Sequence, residues 1–238
     1  MSLLTHPILD CFTPYGTQLF APFSNYRVAF NNIAVADSMY TLPFLVCMLI
    51  LMFYERQTNK RRLWLKIGFG LSSIYILFTI GNKFYMDSVF KKTLNDRGIS
   101  YKRFSTQQSI LNNILWYGIA ETETSYFVGF YSLLDSKIYF SDWEELPKER
   151  AIKTNEYKNL KALSWFSNAY YNIIKNEDDT FLYQDLRYPI IKTKDKSSSV
   201  FSLILFKENN RLDMIPFEPD RGDFKKAIST LWKRLKGV

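Results

Sequence analysis

Ser38-Met39-Tyr40-Thr41-Leu42-Pro43-Phe44-Leu45-Val46-Cys47-Met48-Leu49-Ile50-Leu51-Met52-Phe53-Tyr54 is a run of 17 residues without a charge, set between Asp37 and Glu55. A second charge-free run of 16 residues, Ile67 to Asn82, lies between Lys66 and Lys83. A helix that crosses a bilayer takes roughly 17–25 apolar residues, so both runs meet that length at its lower end. Tyr40, Tyr54, Trp64 and Tyr85 fall where an aromatic belt sits, and Arg56, Lys66 and Lys83 are placed to snorkel to the headgroups. The pattern predicts a membrane-spanning α-helical hairpin. Two buried helices of a soluble protein are the competing reading, and the aromatic and basic flanks weigh against it.

The connection Glu55-Arg56-Gln57-Thr58-Asn59-Lys60-Arg61-Arg62 holds four basic residues against one acid, and Lys66 follows. By the positive-inside rule the loop over residues 55–66 is cytoplasmic. Residues 1–36 and everything after Lys83 are then expected on the outer side. Gly68, Gly70, Ser72 and Ser73 place small residues together on the second run. Such residues let two helices approach closely in lipid, although membrane helices also tolerate them without contact.

The composition is bimodal along the chain. Of 238 residues, 31 are Lys or Arg and 23 are Asp or Glu, yet only nine of these charges lie in residues 1–82. One His and two Cys exclude a self-contained zinc site of His and Cys ligands, which takes three or four protein donors, and exclude a disulfide framework. The net charge of +8 is spread thinly and no recognised binding module accompanies it, so nucleic acid is not expected as a partner. Lipid headgroups or solubility account for it better. Met1 to Asp10 lacks the basic and long apolar stretches of a signal peptide.

After Lys83 the pattern turns to mixed elements. Lys83 to Arg97 reads as a helix stopped by Gly98. Ile114–Ala120, Ser125–Leu134 and Lys137–Ser141 read as a meander of strands. A helix is expected over Leu160–Lys175, then strands at Thr180–Arg187, Val200–Phe206 and Arg211–Phe217, the last two joined at Glu208-Asn209-Asn210. Phe224, Ala227, Ile228, Leu231, Trp232 and Leu235 form one apolar stripe of a last helix that also carries Lys225, Lys226, Lys233, Arg234 and Lys236. The stripe is expected in the domain core, with an anionic lipid surface as the alternative. The fold class is therefore an α-helical membrane hairpin followed by an α+β soluble domain with an antiparallel sheet. Its parts are a metal-site-like segment and interfacial loop (1–36), two transmembrane helices and a following helix (37–99), and an extracytoplasmic α+β domain (100–238).

His6 and Asp10 stand four apart, which sets both side chains on one helix face. Imidazole and carboxylate suit zinc, manganese or iron. By spacing alone an ordinary surface or capping pair is the stronger reading. Pro14-Tyr15-Gly16-Thr17 ends the segment as a turn in which Gly16 supplies a positive φ. Asp37 reads as an interfacial carboxylate or the N-cap of the first span. Cys47 lies within a span and Cys11 lacks a matching partner. Neither a glycine-rich phosphate loop nor a nucleophile elbow occurs.

Leu4-Thr5-His6-Pro7-Ile8-Leu9-Asp10-Cys11-Phe12-Thr13-Pro14-Tyr15-Gly16-Thr17, followed by Leu19-Phe20-Ala21-Pro22-Phe23-Ser24, resembles the LexA-regulated, membrane-bound metal-dependent hydrolase family. Val35-Ala36-Asp37-Ser38-Met39-Tyr40-Thr41-Leu42-Pro43 resembles the family's entry into its next membrane helix, with Asp-Ser here where relatives carry Asp-Pro. The likeness runs from residue 3 to about residue 85. It implies that His6 and Asp10 are metal ligands, that the ion is divalent (zinc or manganese), and that the protein sits in the bacterial inner membrane. Family members also carry a preceding His-Arg-Gly-x-Thr-His-Ser motif, absent here. The expectation is therefore the C-terminal part of such a hydrolase, inactive without an N-terminal half supplied by the same protein or a neighbouring chain. Its substrate is expected to be small or lipid-like. The alternative is a membrane-anchored, non-enzymatic binding protein with an extracytoplasmic α+β domain.

Overall fold

A computed structural model of the chain describes residues 2–109, 111–192, 197–199, 201–208, 211–217 and 221–237. They form two compact units, one of residues 1–99, 105–118 and 130–140, the other of residues 100–104, 119–129 and 141–238.

The first unit opens with α1 (Ser2–Asp10), α2 (Ser38–Met52) and α3 (Asn59–Asp96). Asp37 caps α2: its Oδ1 accepts from the backbone N–H of Met39 at 2.9 Å and of Tyr40 at 3.2 Å. The far end of α2 is closed by Arg61, whose guanidinium donates to the carbonyls of Leu51 (3.1 Å) and Tyr54 (3.0 Å). Leu51 O belongs to the last turn of α2, where carbonyls lack their usual i+4 donor, and Tyr54 O lies just beyond the helix. Thr58 caps α3 through its Oγ1, which accepts from Arg61 N–H at 3.3 Å. The other end of α3 unwinds at Gly98, with φ of +68°, while Ile99 N–H bonds back to Leu94 O at 3.0 Å. That is the glycine-dependent closure expected after a last helical turn.

The helix expected over Lys83–Arg97 is not a separate element. It continues the apolar run without a break, so α3 spans 38 residues, about 57 Å at helical rise. This is the one helix among the described residues long and apolar enough to cross a membrane, and 17% of its apolar window is buried. A core helix of a soluble protein would hide most of such a window, so α3 turns its apolar side chains outward. Phe69, Ile74, Leu77 and Phe78 are all more than half exposed. The second arm of the expected hairpin is shorter. With 15 residues, α2 reaches about 22 Å, less than the hydrocarbon core of roughly 30 Å. It packs on α3 through the Phe44 and Phe69 rings, 5.9 Å apart, and through Cys47 against Gly68. Of the small residues on α3, Gly68 faces this contact and Ser72 is buried, whereas Gly70 has nothing near it.

Lys83 departs from the snorkelling expectation. Its ammonium donates to Asp87 Oδ1 (2.7 Å) and to the carbonyl and hydroxyl of Thr106 (both 2.8 Å), and the side chain is 16% exposed. Three oxygens close at hand satisfy its three donors, so nothing draws it outward. Beyond Lys83 the face of α3 marked by Met86, Phe90 and Leu94 is wholly buried. Phe90 lies edge-on to Phe140 at 4.7 Å and directly over Gly118.

The strands begin with β1 (Arg103–Gln108), β2 (Leu115–Glu121), β3 (Ser125–Ser132) and β4 (Ser141–Pro147), which lie side by side in that order. The strand expected at Lys137–Ser141 starts instead at Ser141. Phe140 is a fully buried plug, in contact with Phe90 and Tyr131, and its N–H bonds the Thr93 hydroxyl at 3.3 Å rather than a neighbouring strand.

In the second unit α4 covers Lys158–Phe166 and β5 covers Tyr171–Lys175. The helix expected to run to Lys175 therefore stops at Phe166, just short of the midpoint of the expected span. Asn168 and Ala169 both adopt positive φ (52° and 58°), reversing the chain so that Tyr171–Lys175 pairs antiparallel with β6 (Phe181–Asp185). A short pair, β7 (Ile190–Lys192) and β8 (Ser197–Ser199), follows, then β9 (Ser202–Glu208) and β10 (Arg211–Pro216). The sheet order is β10-β9-β6-β5, antiparallel throughout, with Arg211 paired to Glu208; the turn residues Asn209 and Asn210 lie outside the described residues. Ile152, Leu160, Tyr171, Ile173, Tyr183, Leu205 and Leu212 fill its core. The last helix, α5 (Arg221–Leu235), does not bury its whole stripe: Leu231 and Leu235 are half-buried, while Ile228 and Trp232 are 51% and 59% exposed.

Candidate functional site

The N-terminal segment is a short helix followed by a loop that doubles back on itself. Cys11 Sγ donates to Pro7 O at 3.1 Å and Thr13 Oγ1 to Asp10 O at 2.7 Å, which close the end of α1. Gly16 has φ of +64°, and any Cβ there would lie 2.4 Å from Val28 O, because Thr17 and Val28 pair across the loop. Glycine is required on both counts.

The loop is fastened to α3 by amides. Asn32 Nδ2 donates to Thr79 Oγ1 at 2.9 Å, and the Thr79 hydroxyl donates in turn to Ile76 O at 2.8 Å. That chain of donors fixes the orientation of the Asn32 amide. Asn113 Nδ2 donates to Asn32 O at 2.8 Å, and Asn82 Nδ2 to Asn113 O at 2.9 Å. With its amide nitrogen so committed, Asn32 Oδ1 is buried and has no partner among the described residues.

Asn32 lines a cavity of about 120 Å³ together with Asp10, Thr13, Asp37, Tyr40 and Thr41, closed on its apolar side by Phe12, Ile33 and Ile76 among others. Asp37 is 2% exposed, and both its oxygens accept from the Tyr75 hydroxyl at 2.9 Å. The cavity therefore collects hydrogen-bond acceptors: two carboxylates and an unpartnered amide oxygen beside three hydroxyls.

His6 and Asp10 are brought together as their spacing predicts. His6 Nε2 lies 3.5 Å from Asp10 Oδ2, with side chains 79% and 43% exposed. His6 does not line the cavity; Asp10 stands at its edge. The pair by itself is two possible ligands. It offers two donors where a structural or catalytic zinc takes three or four, and no group of three His, Cys, Asp or Glu side chains placed to hold a metal occurs among the described residues.

Sequence reading singled out Asp37 but missed Asn32, Tyr75 and Thr79. Tyr75 and Thr79 sit four apart within the apolar run and Asn82 follows one turn on, which marks a polar seam on an otherwise apolar helix. That seam was the available signal.

Residues 1–85 match the model of a family described as YdjM inner membrane protein. This part of the chain is thus similar to a family of inner-membrane proteins, in agreement with the outward apolar face of α3. No curated protein and no solved structure is significantly similar to the chain.

Proposed function

We propose that this is a protein of the bacterial inner membrane whose N-terminal segment contributes His6 and Asp10 to a hydrolytic divalent-metal site completed by another polypeptide. That polypeptide is an N-terminal half of the same protein or a neighbouring chain. By itself the 238-residue chain is inactive. The observation that carries this reading is the His6–Asp10 pair on one exposed face of α1, beside an acceptor-rich cavity. Two donors of suitable chemistry stand together and open to a further partner, too few to hold an ion firmly. A small or lipid-like substrate suits a site at this depth. In the same reading α2 and the first half of α3 enter the bilayer as a hairpin, with residues 55–66 cytoplasmic and residues 100–238 outside.

The test is metal retention. The purified chain in detergent is dialysed after loading with zinc or manganese, and is expected to keep no stoichiometric ion. Co-reconstitution with a polypeptide bearing the His-Arg-Gly-x-Thr-His-Ser motif is expected to create retention and hydrolysis that His6→Ala abolishes. Stoichiometric retention by the chain alone, or a completed site indifferent to His6→Ala, overturns the reading.

One observation favours the second reading, a membrane-anchored binding protein without catalysis. The second unit holds an open cleft of about 470 Å³ lined by Arg150, Ile152, Lys153, Thr154, Asn155 and Glu156, a volume suited to a small ligand.

A further inference from the structure

The last helix is amphipathic in an unusual sense: its outer face is both greasy and basic. Ile228 and Trp232, one turn apart on α5, are 51% and 59% exposed, although a Trp at such a position gains much by burial. Leu231 and Leu235 are half-buried, so the inward face is already accounted for. From Phe224 to Gly237 the sequence holds five basic residues and no acid. Arg234 is committed inward, to Asp142 and Ser141. Lys233 and Lys236 are exposed, and the Lys236 ammonium lies 5.5 Å from the centre of the Trp232 ring.

We propose that this face of α5 docks onto the anionic headgroup layer of the membrane in which the chain is anchored. An indole flanked by lysines is the chemistry of the bilayer interface, where the ring enters the headgroup level and the ammonium groups stay with phosphate. A soluble acidic protein would satisfy the lysines but would meet the Trp and Ile without the fluid apolar layer that accommodates them. The anchor decides in favour of lipid. A chain carrying α3 holds every other part of itself near a bilayer, so a weak surface contact becomes an intramolecular one at high effective concentration.

The full chain, reconstituted in nanodiscs containing lipids with brominated acyl chains, tests this, because bromine quenches indoles that enter the bilayer. The difference between the wild-type protein and Trp232→Phe isolates Trp232 from the other tryptophans. Quenching of Trp232 is expected in discs containing anionic lipid. It should be lost in purely zwitterionic discs, and also when salt is raised to about 0.5 M and screens the contact. Lys233→Ala with Lys236→Ala is expected to lower the docked-to-free ratio about 25-fold, some fivefold for each cation removed near a charged surface. The salt comparison uses the unaltered protein and so reads docking even where a variant folds poorly. Trp232 left unquenched in anionic discs, or quenched equally in anionic and zwitterionic ones, overturns the proposal. Neither outcome bears on metal retention at His6, so this proposal and the half-site reading fail separately.

Discussion

Gly118 lies against the face of Phe90, and a methyl group there has no room. A Cβ on residue 118 would stand 2.3 Å from Cε2, 2.6 Å from Cδ2 and 2.8 Å from Cζ of that ring, where carbon atoms settle at about 3.5–4.0 Å. The ring must retreat by more than an ångström. Phe90 is wholly buried and stacked edge-on to Phe140 at 4.7 Å, so retreat means pushing a second ring that is itself buried. Overpacking of this kind costs about 1–3 kcal/mol, and Gly118→Ala is expected to lower the unfolding midpoint by roughly 4–12 °C. Cys11 and Cys47 are free, buried and in the same unit, so a thiol-reactive fluorophore in detergent reports its opening without added labels. Phe90→Leu removes the ring and leaves space over residue 118, which Ala then fills. The double variant should therefore be at least about 1 kcal/mol more stable than the sum of the single effects predicts. An unchanged midpoint for Gly118→Ala, or additive single effects, refutes the reasoning.

Glu121 accepts from Lys148 at 2.7 Å and from Arg103. Burial alone would raise its carboxyl, but the hydrogen bonds from Lys148 and Arg103 outweigh that and hold it below its ordinary value of 4.5. Its contribution is therefore complete above pH 4.5 and lost as pH falls through the lower folded-state value; Glu121→Gln should cost about 1–3 kcal/mol at pH 7 and flatten the acid limb of a stability–pH curve. An acid limb identical in the variant contradicts this. Reporter fusions after Gln57 and after the last residue are expected to report opposite sides of the membrane, and a common side rules out the hairpin. Metal retention and Trp232 quenching supply the two remaining tests.

The alternation of charge-free and charged stretches made the membrane segment legible before any coordinates. Hydrophobic length is a one-dimensional property that the chain carries without folding. The His6–Asp10 pair and the Asp37 cap were legible for a related reason, since both depend on offsets within one helix. The hydrogen-bond network beside the polar cavity was not, because Asn32, Tyr75, Thr79 and Asn113 come from three separate stretches and meet only through the packing of a loop on α3. The error over Leu160–Lys175 has a similar origin. Leu163, Phe166, Tyr170, Ile173 and Ile174 fit helical spacing, but Tyr171–Lys175 is a strand because β6 offers it an antiparallel partner. Local periodicity has no access to that partner.

Local chemistry thus settled that residues 38–54 and 67–82 form two charge-free apolar runs, that helices end at Asp37 and Gly98, and that an α+β region follows. Each of these depends on side chains a few positions apart. Tertiary contacts alone decided three other matters: that α3 runs unbroken for 38 residues, that Lys83 turns inward to Thr106, and that Trp232 is left outside. These depend on what lies opposite each residue, and distant parts of the chain supply it only after folding.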